Sequence, residues 1–406
     1  MRIMVQKFGG TSLATPEARS HVLRHIHREL QAGYRLVIVV SAMGRKGEPY
    51  ATDTLLDWVD VQGGPLPSRE KDLLLHCGEI ISATTLCGLL AGESIASSVL
   101  TGAQAGFRTD EQFGNARILE VVPARILDEL QHKQVVIVTG FQGQSLNGEI
   151  TTLGRGGSDT SATALGSALR AEIVDIYTDV NGILTADPRI VEDARPLSYV
   201  SYTEICNMAH QGAKVIHPRA VEIAMQSGVP VRVRSTFSDG EGTLVSNPES
   251  FKDQQDGIID RFVTGIAYVN NVTQITVSAE GRGHRLQLEV FKAMAEHAIS
   301  VDFINVTPAG AVYTVFDSDS TKAVSVLEDQ GFSPKVVNGC AKVSVIGGGI
   351  NGVPGIMAQI VEALTEHDIP ILQSADSNTT IWVLVTKDDM VQALRALHTK
   401  FELNRL

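Results

Sequence analysis

The chain has 406 residues, 43% of them apolar and 20% charged, an ordinary globular composition at a length that predicts two or three domains. Acidic residues outnumber basic residues by 46 to 34, and no block of lysine or arginine occurs, which argues against a nucleic-acid-binding protein. No uninterrupted run of about 18 apolar residues and no signal-peptide pattern is found, so we expect neither membrane insertion nor export.

The four cysteines predict a reduced protein. Cys77, Cys87, Cys206 and Cys340 are far apart and show neither a Cys-x-x-Cys pair nor the Cys/His spacing of a zinc site. Structural disulfides are typical of secreted proteins and rare in the cytosol. We therefore expect a cytoplasmic protein and predict no metal ion held by its own side chains.

Residues 1–245 predict an α/β domain. Short runs of β-branched residues alternate with amphipathic stretches, and the runs are Ile3–Phe8, Leu36–Val40, Val135–Thr139, Ile173–Thr178 and Val229–Val233. Strands that alternate with helices favour a mainly parallel sheet sandwiched by helices. Ligands of such sheets bind beyond the carboxyl ends of the strands, where this chain places its glycine-rich segments.

The C-terminal region predicts two copies of one small unit. Residues 246–263 begin with a polar stretch that contains Pro and Gly, so they predict a linker. Beyond them, a 70-residue offset aligns Val290–Ile299 with Ile360–Ile369. Each copy has the pattern of a βαββαβ unit, which predicts α+β domains at 264–336 and 337–406. A cleft between equivalent edges of the two copies would suit a small ligand.

The first candidate functional segment follows the first predicted strand. It reads Lys7-Phe8-Gly9-Gly10-Thr11-Ser12. Two glycines allow backbone N–H groups to approach an anion, and Lys7 adds an exposed positive charge. The segment is not a Walker A loop, because the GxxxxGK[ST] pattern is absent. For Gly-Gly taken alone, a plain strand-to-helix turn is the favoured alternative.

A second glycine-rich segment, residues 151–161, precedes a helix of small residues and contains Arg155, Ser158 and Asp159. Three glycines at a helix start, with an arginine among them, predict an anion site rather than a flexible connector. A third segment, residues 177–189, follows another predicted strand. With residues 211–218 it could line a nucleotide pocket, although its Asp-Pro-Arg is equally typical of a surface turn.

Together the segments predict two anionic ligands brought face to face. Two anion-binding loops and a basic, glycine-shaped pocket lie on one predicted α/β scaffold. Phosphoryl transfer fits this arrangement, because its catalysis consists largely of positioning and charge neutralisation. His217, which stands before a proline, is interpreted as structural.

These segments resemble the aspartate kinases of the amino-acid kinase fold family. The matching motifs are KFGGTS at 7–12, VSAMG at 40–44, CGE at 77–79, TTLGRGGSDTSATALG at 151–166, TDVNGILTADPR at 178–189 and QGAKVIHPRA at 211–220. The repeated C-terminal unit resembles the tandem ACT domains of that family, which bind feedback amino acids. The resemblance covers nearly the whole chain.

The resemblance implies ATP-dependent phosphorylation of the β-carboxylate of L-aspartate to 4-phospho-L-aspartate. This is the first step towards lysine, threonine, methionine and diaminopimelate. Such a nucleophile needs no general base, because a carboxylate with a pKa of about 3.9 is already ionised at neutral pH. ATP with Mg²⁺ carried on the nucleotide are the cofactors that the resemblance implies.

The resemblance also implies roles for individual residues. Lys7 and Asp159 would be catalytic, with Ser41 and Asp159 orienting Lys7. The nucleotide site would comprise Lys7, Phe8, Gly9, Gly10, Ser12, Thr178, Asp179, Leu184, Arg189, Lys214 and Val215. The aspartate site would comprise Ser41, Thr52, Glu79, Arg155, Gly156, Gly157 and Ser158, with Glu79 facing the ammonium group and Arg155 a carboxylate. Many relatives carry tyrosine at the position of Leu184, so the adenine contact there is aliphatic or displaced.

The two ACT copies differ in the loop before the first helix. Copy two has Gly352-Val353-Pro354-Gly355, whereas residues 282–285 of copy one are Arg-Gly-His-Arg. In ACT domains a loop of the first kind meets an amino-acid effector, so this loop and Gln373, Ser374 and Asp376 are the expected regulatory residues. Lysine, threonine and diaminopimelate stay open as effectors, and ACT pairing implies a homodimer or higher homo-oligomer.

Two other functions compete with this interpretation. The first is another enzyme of the same fold, acting on glutamate, acetylglutamate or a nucleoside monophosphate, although these usually lack the tandem ACT tail. The second is a catalytically inactive effector-binding protein. Lys7, Glu79, Arg155, Asp159 and Lys214 are all present, which argues against the inactive protein.

Overall fold

The computed structural model describes residues 1–64, 66–213, 215–247, 262–278 and 285–405. They form two compact units. The first contains residues 1–183, 196–209 and the described part of 214–258, and the second contains 184–195, 210–213 and the described part of 259–406. Most of the predicted linker, 248–261, lies outside the described residues, so the domain boundaries stay a prediction.

The N-terminal part of the chain alternates strands with helices. The strands are β1 Ile3–Phe8, β2 Arg35–Val40, β3 Ser97–Leu100, β4 Phe107–Thr109, β5 Ile118–Val121, β6 Val135–Thr139, β7 Gln142–Ser145, β8 Ile150–Thr152, β9 Ile173–Thr178, β10 Tyr199–Ser201, β11 Val231–Ser235 and β12 Thr243–Ser246. The helices are α1 Gly10–Leu13, α2 Pro16–Gln31, α3 Thr52–Gly63, α4 Ser68–Gly92, α5 Ala124–His132, α6 Gly157–Ala168, α7 Tyr202–His210 and α8 Pro218–Ser227.

Eight of these strands form one sheet in the order β10-β12-β11-β9-β1-β2-β6-β3. Every neighbouring pair is parallel except β11 with β12, so the predicted mainly parallel sheet is confirmed. A smaller sheet, β5-β4-β7-β8, was not predicted from the sequence. Its strands have three or four residues each, too few for a clear hydrophobic period.

The central strands are buried on both faces, which explains their continuous apolar runs. Met4, Leu36 and Ile38 belong to the core cluster that α2 and α4 cover. Val5 and Val37 alternate with them along the strands, so they face the opposite side of the sheet, and they are equally buried. Helix α6 packs against β1, β2 and β9. Burial on both faces is the usual environment of parallel strands.

One helix among the described residues, α4, is long and apolar enough to cross a membrane by length and composition. Its Ala83, Leu86 and Leu90 lie in the core of the first unit, and its carboxyl side chains Asp72 and Glu79 are also buried. Glu79 interrupts the apolar run, which is why the sequence shows no continuous span. Helix α4 is therefore a core helix with two buried acids.

The second unit is built on a six-stranded antiparallel sheet with the order β14-β15-β13-β16-β18-β17. Its strands are β13 Gly265–Ser278, β14 Asp302–Thr307, β15 Gly310–Phe316, β16 Lys335–Ile346, β17 Gln373–Asp376 and β18 Thr380–Thr386. Its helices are α9 Arg285–Glu296, α10 Asp317–Asp329, α11 Ile356–Thr365 and α12 Met390–Lys400. The predicted repeat of two βαββαβ units is confirmed.

The two repeats exchange strands. Residues 265–269 of β13 pair with 342–346 of β16, so they complete the sheet of the second repeat. Residues 272–276 pair with 335–340, which complete the sheet of the first repeat. The two long central strands are thus shared, and register shifts in their pairing lie between Val269 and Gln274. Neither predicted stretch, 264–336 or 337–406, therefore contains all the strands of its own repeat.

Residues 184–195 belong to the second unit, although they follow the strand β9 of the first. The carbonyl of Thr185 accepts a hydrogen bond from the N–H of Ile266 at 2.7 Å. Ala186 lies in the core of the second repeat, and Arg395 Nε donates to the carbonyl of Ile190 at 2.9 Å. The motif at 178–189 is therefore divided between the two units.

Candidate functional site

The carboxyl ends of the central parallel strands lie in register. Phe8 is opposite Tyr177 and Val40, and Val40 is opposite Thr139, so the loops after β1, β2, β6 and β9 leave the same edge of the sheet. An open cleft of about 390 Å³ lies in this unit. It is lined by Lys7, Ser41, Thr52, Glu79, Gly114, Phe141, Gly154, Arg155, Gly156, Gly157, Ser158 and Asp159.

Lys7 and Asp159 form an ion pair within the cleft. Lys7 Nζ lies 2.8 Å from Asp159 Oδ1, and each side chain is only 13% exposed. The expectation of an exposed cation is therefore wrong, because the carboxylate at the start of α6 draws the ammonium group inward. A charge held in a water-poor site acts more strongly on a bound anion than a charge in free solvent.

Glu79 places an unusual carboxyl group in the wall of the cleft. Its side chain is 2% exposed, and Oε1 accepts the backbone N–H of Ala42 at 3.1 Å. Burial raises the pKa of Glu79 to about 8, although hydrogen bonds from Ala42 and Gln142 oppose the rise. Oε2 lacks a hydrogen bond of good geometry among the described residues. A buried oxygen without a hydrogen bond can accept one from a donor group of a bound ligand.

The glycine-rich loop ends at the N-terminus of α6. Gly154 and Gly156 have φ values of +76° and +67°, which side chains rarely tolerate, and α6 begins at Gly157. Arg155 between them is exposed and forms no ion pair with another described residue. The free N–H groups of a helix start and an uncommitted guanidinium together favour an anion.

The ring of His217 explains why residue 156 is glycine. A Cβ atom at Gly156 would lie 2.2 Å from Cγ of His217. The same histidine accepts the N–H of Arg219 through Nδ1 at the start of α8, so its predicted structural role has a physical basis. The ring cannot move away without losing this cap.

Gly156→Ala is expected to destabilise the chain by about 2 to 4 kcal/mol, because a positive φ and overpacking add. The double variant Gly156→Ala, His217→Ala should recover about half of the lost stability, because the overpacking is then relieved. Urea unfolding measures both variants. Gly228→Ala is the control, since Gly228 also has a positive φ, +70°, but has open space at its Cβ, so only about 1 kcal/mol should be lost. Equal losses for both glycines would contradict the packing argument.

The structure brings the whole predicted aspartate-binding set together. Ser41, Thr52, Glu79, Arg155, Gly156, Gly157 and Ser158 all line the cleft. Three further lining residues were not among the predicted site residues: Gly154, which belongs to the predicted glycine-rich segment, and Gly114 and Phe141, which belong to no predicted segment. Phe141 has a φ of +70°, a strained value for a bulky residue that is typical of functional sites. No sequence pattern identifies that backbone conformation.

The predicted nucleotide-binding residues near the N-terminus divide into two groups. Lys7 and Gly9 face the cleft region, since a Cβ at Gly9 would lie 3.4 Å from Lys7 Nζ. Phe8 is fully buried and stacks on Tyr177 at 4.6 Å, and Ser12 is buried with its hydroxyl 2.6 Å from that of Thr236. Both side chains serve the core, so a nucleotide could reach only their backbone atoms.

The remaining nucleotide-binding residues are spread more widely. Thr178 ends β9, and Asp179, the next residue, forms a 2.8 Å ion pair with Arg45. Arg189 belongs to the second unit, where Asp187 binds its guanidinium at 2.9 and 2.6 Å. Leu184 also lies in that unit and is half-buried; Val215 lies in the first unit and Lys214 outside the described residues.

Gly10 has a packing reason to be glycine. A Cβ there would lie 2.6 Å from the carbonyl of Ala42 and 2.7 Å from that of Gly44. The carbonyl of Gly10 in turn accepts the N–H of Gly44 at 3.0 Å. The loop after β1 is thus fixed directly against the loop after β2.

The predicted regulatory residues surround a second cavity of about 440 Å³ in the second repeat. Gly352, Val353, Gly355, Ser374 and Asp376 line it, beside the start of α11 and the edge strand β17. Gln373 does not line it. Its amide accepts Gln274 Nε2 at 2.9 Å and donates to the carbonyl of Phe303, so Gln373 connects the two repeats. Pro354 lies in the same loop and is exposed.

Comparisons with known proteins agree with this geometry. The model of the amino acid kinase family matches residues 2–235, and a model of the ACT domain matches 335–399. Aspartokinase 1 of Bacillus subtilis is 54% identical over 405 residues, covering 100% of both chains. The aspartokinase of Geobacillus stearothermophilus is 39% identical over 409 residues, covering 99% of this chain and 98% of its own.

Solved structures show the same likeness. Aspartokinase III of E. coli in complex with aspartate and ADP has a TM-score of 0.77 at 26% identity, covering 98% of this chain and 99% of the other. The same enzyme in complex with lysine and aspartate has a TM-score of 0.75 at 27% identity, with equal coverage. The chain therefore belongs to the amino acid kinase family and, within it, to the aspartokinases, the kinases that phosphorylate aspartate with ATP.

Proposed function

We propose that this chain transfers the γ-phosphoryl group of ATP to the β-carboxylate of L-aspartate, giving 4-phospho-L-aspartate and ADP. The observation that carries the proposal is the pairing of charges in the cleft. A buried carboxyl group with an unsatisfied oxygen, Glu79, and an uncommitted guanidinium, Arg155, line the same cleft. These groups complement the ammonium and α-carboxylate of an amino acid.

The remaining polar groups of the cleft complement the reacting end. In the proposed pose, Lys7 lies between the β-carboxylate and the γ-phosphate, with Asp159 holding it in place at 2.8 Å. A carboxylate oxygen forms the new bond to phosphorus while the bond from phosphorus to the bridging oxygen of ADP breaks. No proton moves, because the attacking carboxylate is already ionised. The obstacle is repulsion between two anions, which Lys7 and the N-terminus of α6 reduce.

The residues of this cleft fit a Mg²⁺ ion that enters bound to the nucleotide. Among the described residues the cleft contributes two carboxyl groups, Glu79 and Asp159, and Asp159 is already paired with Lys7. That is too few free oxygen ligands for a magnesium ion held by protein alone, and Mg²⁺ usually binds through phosphates and waters. When bound, it would supply further neutralisation of phosphate charge.

The direct test is ATP consumption with L-aspartate and Mg²⁺, with the acyl phosphate trapped by hydroxylamine. Aspartate-dependent trapping is the expected result. Glutamate, acetylglutamate and nucleoside monophosphates serve as comparison acceptors. Turnover with one of these and not with aspartate would assign another substrate, and turnover with none would indicate the inactive effector-binding protein.

We further propose feedback inhibition by an end-product amino acid in the cavity of the second repeat. In support, the cavity combines the start of α11 with the carboxylate of Asp376, which complement the two charges of an amino acid. The lysine complex of E. coli aspartokinase III shows that a relative of this fold binds an amino acid besides its substrate. Lysine, threonine and diaminopimelate are the candidates, each to be added to the trapping assay.

Gly355→Ala is expected to raise the inhibitory effector concentration by about tenfold while leaving uninhibited turnover unchanged. Gly355 has a φ of +96° before α11, so a side chain strains the loop that lines the cavity. Gly339→Ala is the matched control, because Gly339 has a φ of +65° in the same unit, open space at its Cβ and no place in the cavity. Equal inhibition of wild type and Gly355→Ala would contradict the assignment.

The same proposal implies a pathway and a cellular compartment for the enzyme. Its product would enter the synthesis of lysine, threonine, methionine and diaminopimelate in the cytoplasm. None of the four cysteines forms a disulfide in the structure, which is consistent with a reducing compartment. We also propose a homo-oligomer formed through ACT domains, which analytical ultracentrifugation of the full chain would test.

A further inference from the structure

Asp72 is a buried carboxylate that binds only loop backbone and one hydroxyl. Its side chain is 1% exposed, and no described cation pairs with it. Oδ2 accepts the N–H of Gly114 at 3.0 Å and that of Thr152 at 2.7 Å, and Oδ1 accepts the hydroxyl of Thr152 at 2.8 Å. Gly114 lines the cleft, and Thr152 ends the strand that leads into the glycine-rich loop.

Arg219 binds the same two segments through the opposite kind of backbone group. Its Nη1 donates to the carbonyl of Leu153 at 2.9 Å, and its Nη2 donates to the carbonyl of Ala116 at 2.9 Å. The two segments also bind each other, since the N–H of Ala116 donates to the carbonyl of Thr152 at 2.8 Å. A carboxylate on α4 and a guanidinium on α8 thus hold one pair of backbone segments.

Helix α4 links this clamp to the substrate site. Asp72 and Glu79 are seven residues apart on α4, and seven residues make nearly two full turns, so both project from the same face. Glu79 lines the cleft, while Asp72 binds the segments that border it on the other side. The position of Glu79 relative to Arg155 therefore depends on the bonds made by Asp72.

Stability alone does not account for these two charges. A buried carboxylate without a cation costs free energy, and burial raises the pKa of Asp72 against the three hydrogen bonds that lower it. Well-packed apolar residues often replace buried charges at no loss of stability. What a carboxylate adds at this place is a fixed geometry for two N–H groups and a hydroxyl.

We propose that Asp72 and Arg219 are positioning residues that hold the loop 152–157 at the distance from Glu79 that aspartate requires. The inference rests on the proposed function, because it assigns the two ends of aspartate to Glu79 and Arg155. Displacement of reacting groups by about 1 Å can cost 100-fold in rate, so the effect of losing the clamp is measurable.

The first test is Asp72→Ala, assayed by steady-state kinetics in both substrates. The KM for aspartate is expected to rise at least about tenfold while the KM for ATP stays within about twofold. Asp72→Asn should restore most of the affinity. Its carbonyl oxygen can accept both N–H groups, and its amide can donate to the Thr152 hydroxyl, which then acts as acceptor.

Leu86→Ala is the matched control for lost stability. Leu86 lies on the same helix, is fully buried and belongs to the core on the sheet side, so its truncation should lower the urea midpoint of unfolding without touching the loops. Its KM for aspartate should stay near the wild-type value. An equal rise in Leu86→Ala and Asp72→Ala would reduce Asp72 to a stability residue and overturn the proposal.

Arg219→Gln provides an independent variant if Asp72→Ala fails to fold. It removes the two bonds to carbonyls and should also raise the KM for aspartate selectively; a wild-type KM in this variant or in folded Asp72→Ala overturns the clamp. Failure of the proposed function looks different, since the wild-type chain itself would show no aspartate-dependent turnover. In that case faster hydrogen exchange at residues 152–157 in Asp72→Ala than in Leu86→Ala still tests the positioning role.

Discussion

Lys7→Met is expected to lower turnover by roughly 10³-fold, because it removes a cleft cation that an ion pair already holds in place. The KM values should change much less than kcat, since the charge is needed most where two anions approach. The structure adds a cost to folding. Methionine leaves Asp159 without its partner at a site only 13% exposed, so about 1 to 3 kcal/mol of stability should be lost.

The double variant Lys7→Met, Asp159→Asn separates the two effects. It removes the unpaired charge and should recover most of the lost stability, while activity stays low. Asp159→Asn alone should retain more activity than Lys7→Met, because Lys7 is then present but less well oriented. Chemical denaturation and the hydroxylamine assay measure the two properties, and near-normal turnover of Lys7→Met would remove Lys7 from the mechanism.

Glu79→Gln is expected to lower kcat/KM for aspartate by about 100-fold or more, because the amide cannot neutralise a bound ammonium group. The pH profile makes the test specific. Burial raises the pKa of Glu79 to about 8 in the free enzyme, so wild-type kcat/KM should rise with pH and level off above about 8. The variant should lack this rising limb.

The same variant should be more stable than wild type near neutral pH. The unfolded chain releases the Glu79 proton near pH 4.5, whereas the folded chain keeps it up to about pH 8. Between these values the folded state binds more protons, so the free energy of unfolding falls as pH rises and is constant above about 8. Removing the carboxyl group should therefore stabilise by about 3 to 4 kcal/mol at pH 7 to 8 and by little below pH 4.5.

Glu29→Gln is the matched control for the predicted gain in stability. Glu29 is also a nearly buried helical glutamate, but it lies 2.9 Å from Arg28 and 3.7 Å from Arg234. Its loss removes one of the two carboxylates beside each arginine, so the variant should be less stable at pH 7. If Glu79→Gln lost as much stability as Glu29→Gln, Glu79 would be an ordinary buried acid with satisfied hydrogen bonds. It would then not be a binding group whose burial destabilises the fold.

Much of the site could be predicted from the sequence because its chemistry lies in short segments. Arg155, Gly156 and Asp159 stand within five residues, and their glycines and charges indicate an anion site without any knowledge of the fold. Residues 7–10 carry the same kind of local signal. Glu79 was identified by its resemblance to a family motif, but its buried state and its unsatisfied oxygen depend on Ala42 and the helix around it.

The residues that the sequence did not reveal act across long separations. Asp72 binds Gly114 and Thr152, 42 and 80 residues away, and Arg219 binds Ala116 at a separation of 103. Single charged residues of this kind have no periodic or motif signal. Only once α4 is known does spacing single out Asp72, which lies two helical turns before Glu79 on that helix.

The sequence by itself determined the classes of elements, the mainly parallel sheet, the repeat and the glycine-rich loops, since each is encoded in local periodicity or composition. Only the tertiary structure decided that the repeats exchange strands at 265–269 and that residues 184–195 belong with the second unit. Both depend on which backbone groups, far apart along the chain, find hydrogen-bond partners and apolar surface. Local patterns carry no information about such partners, because every strand presents the same donors and acceptors.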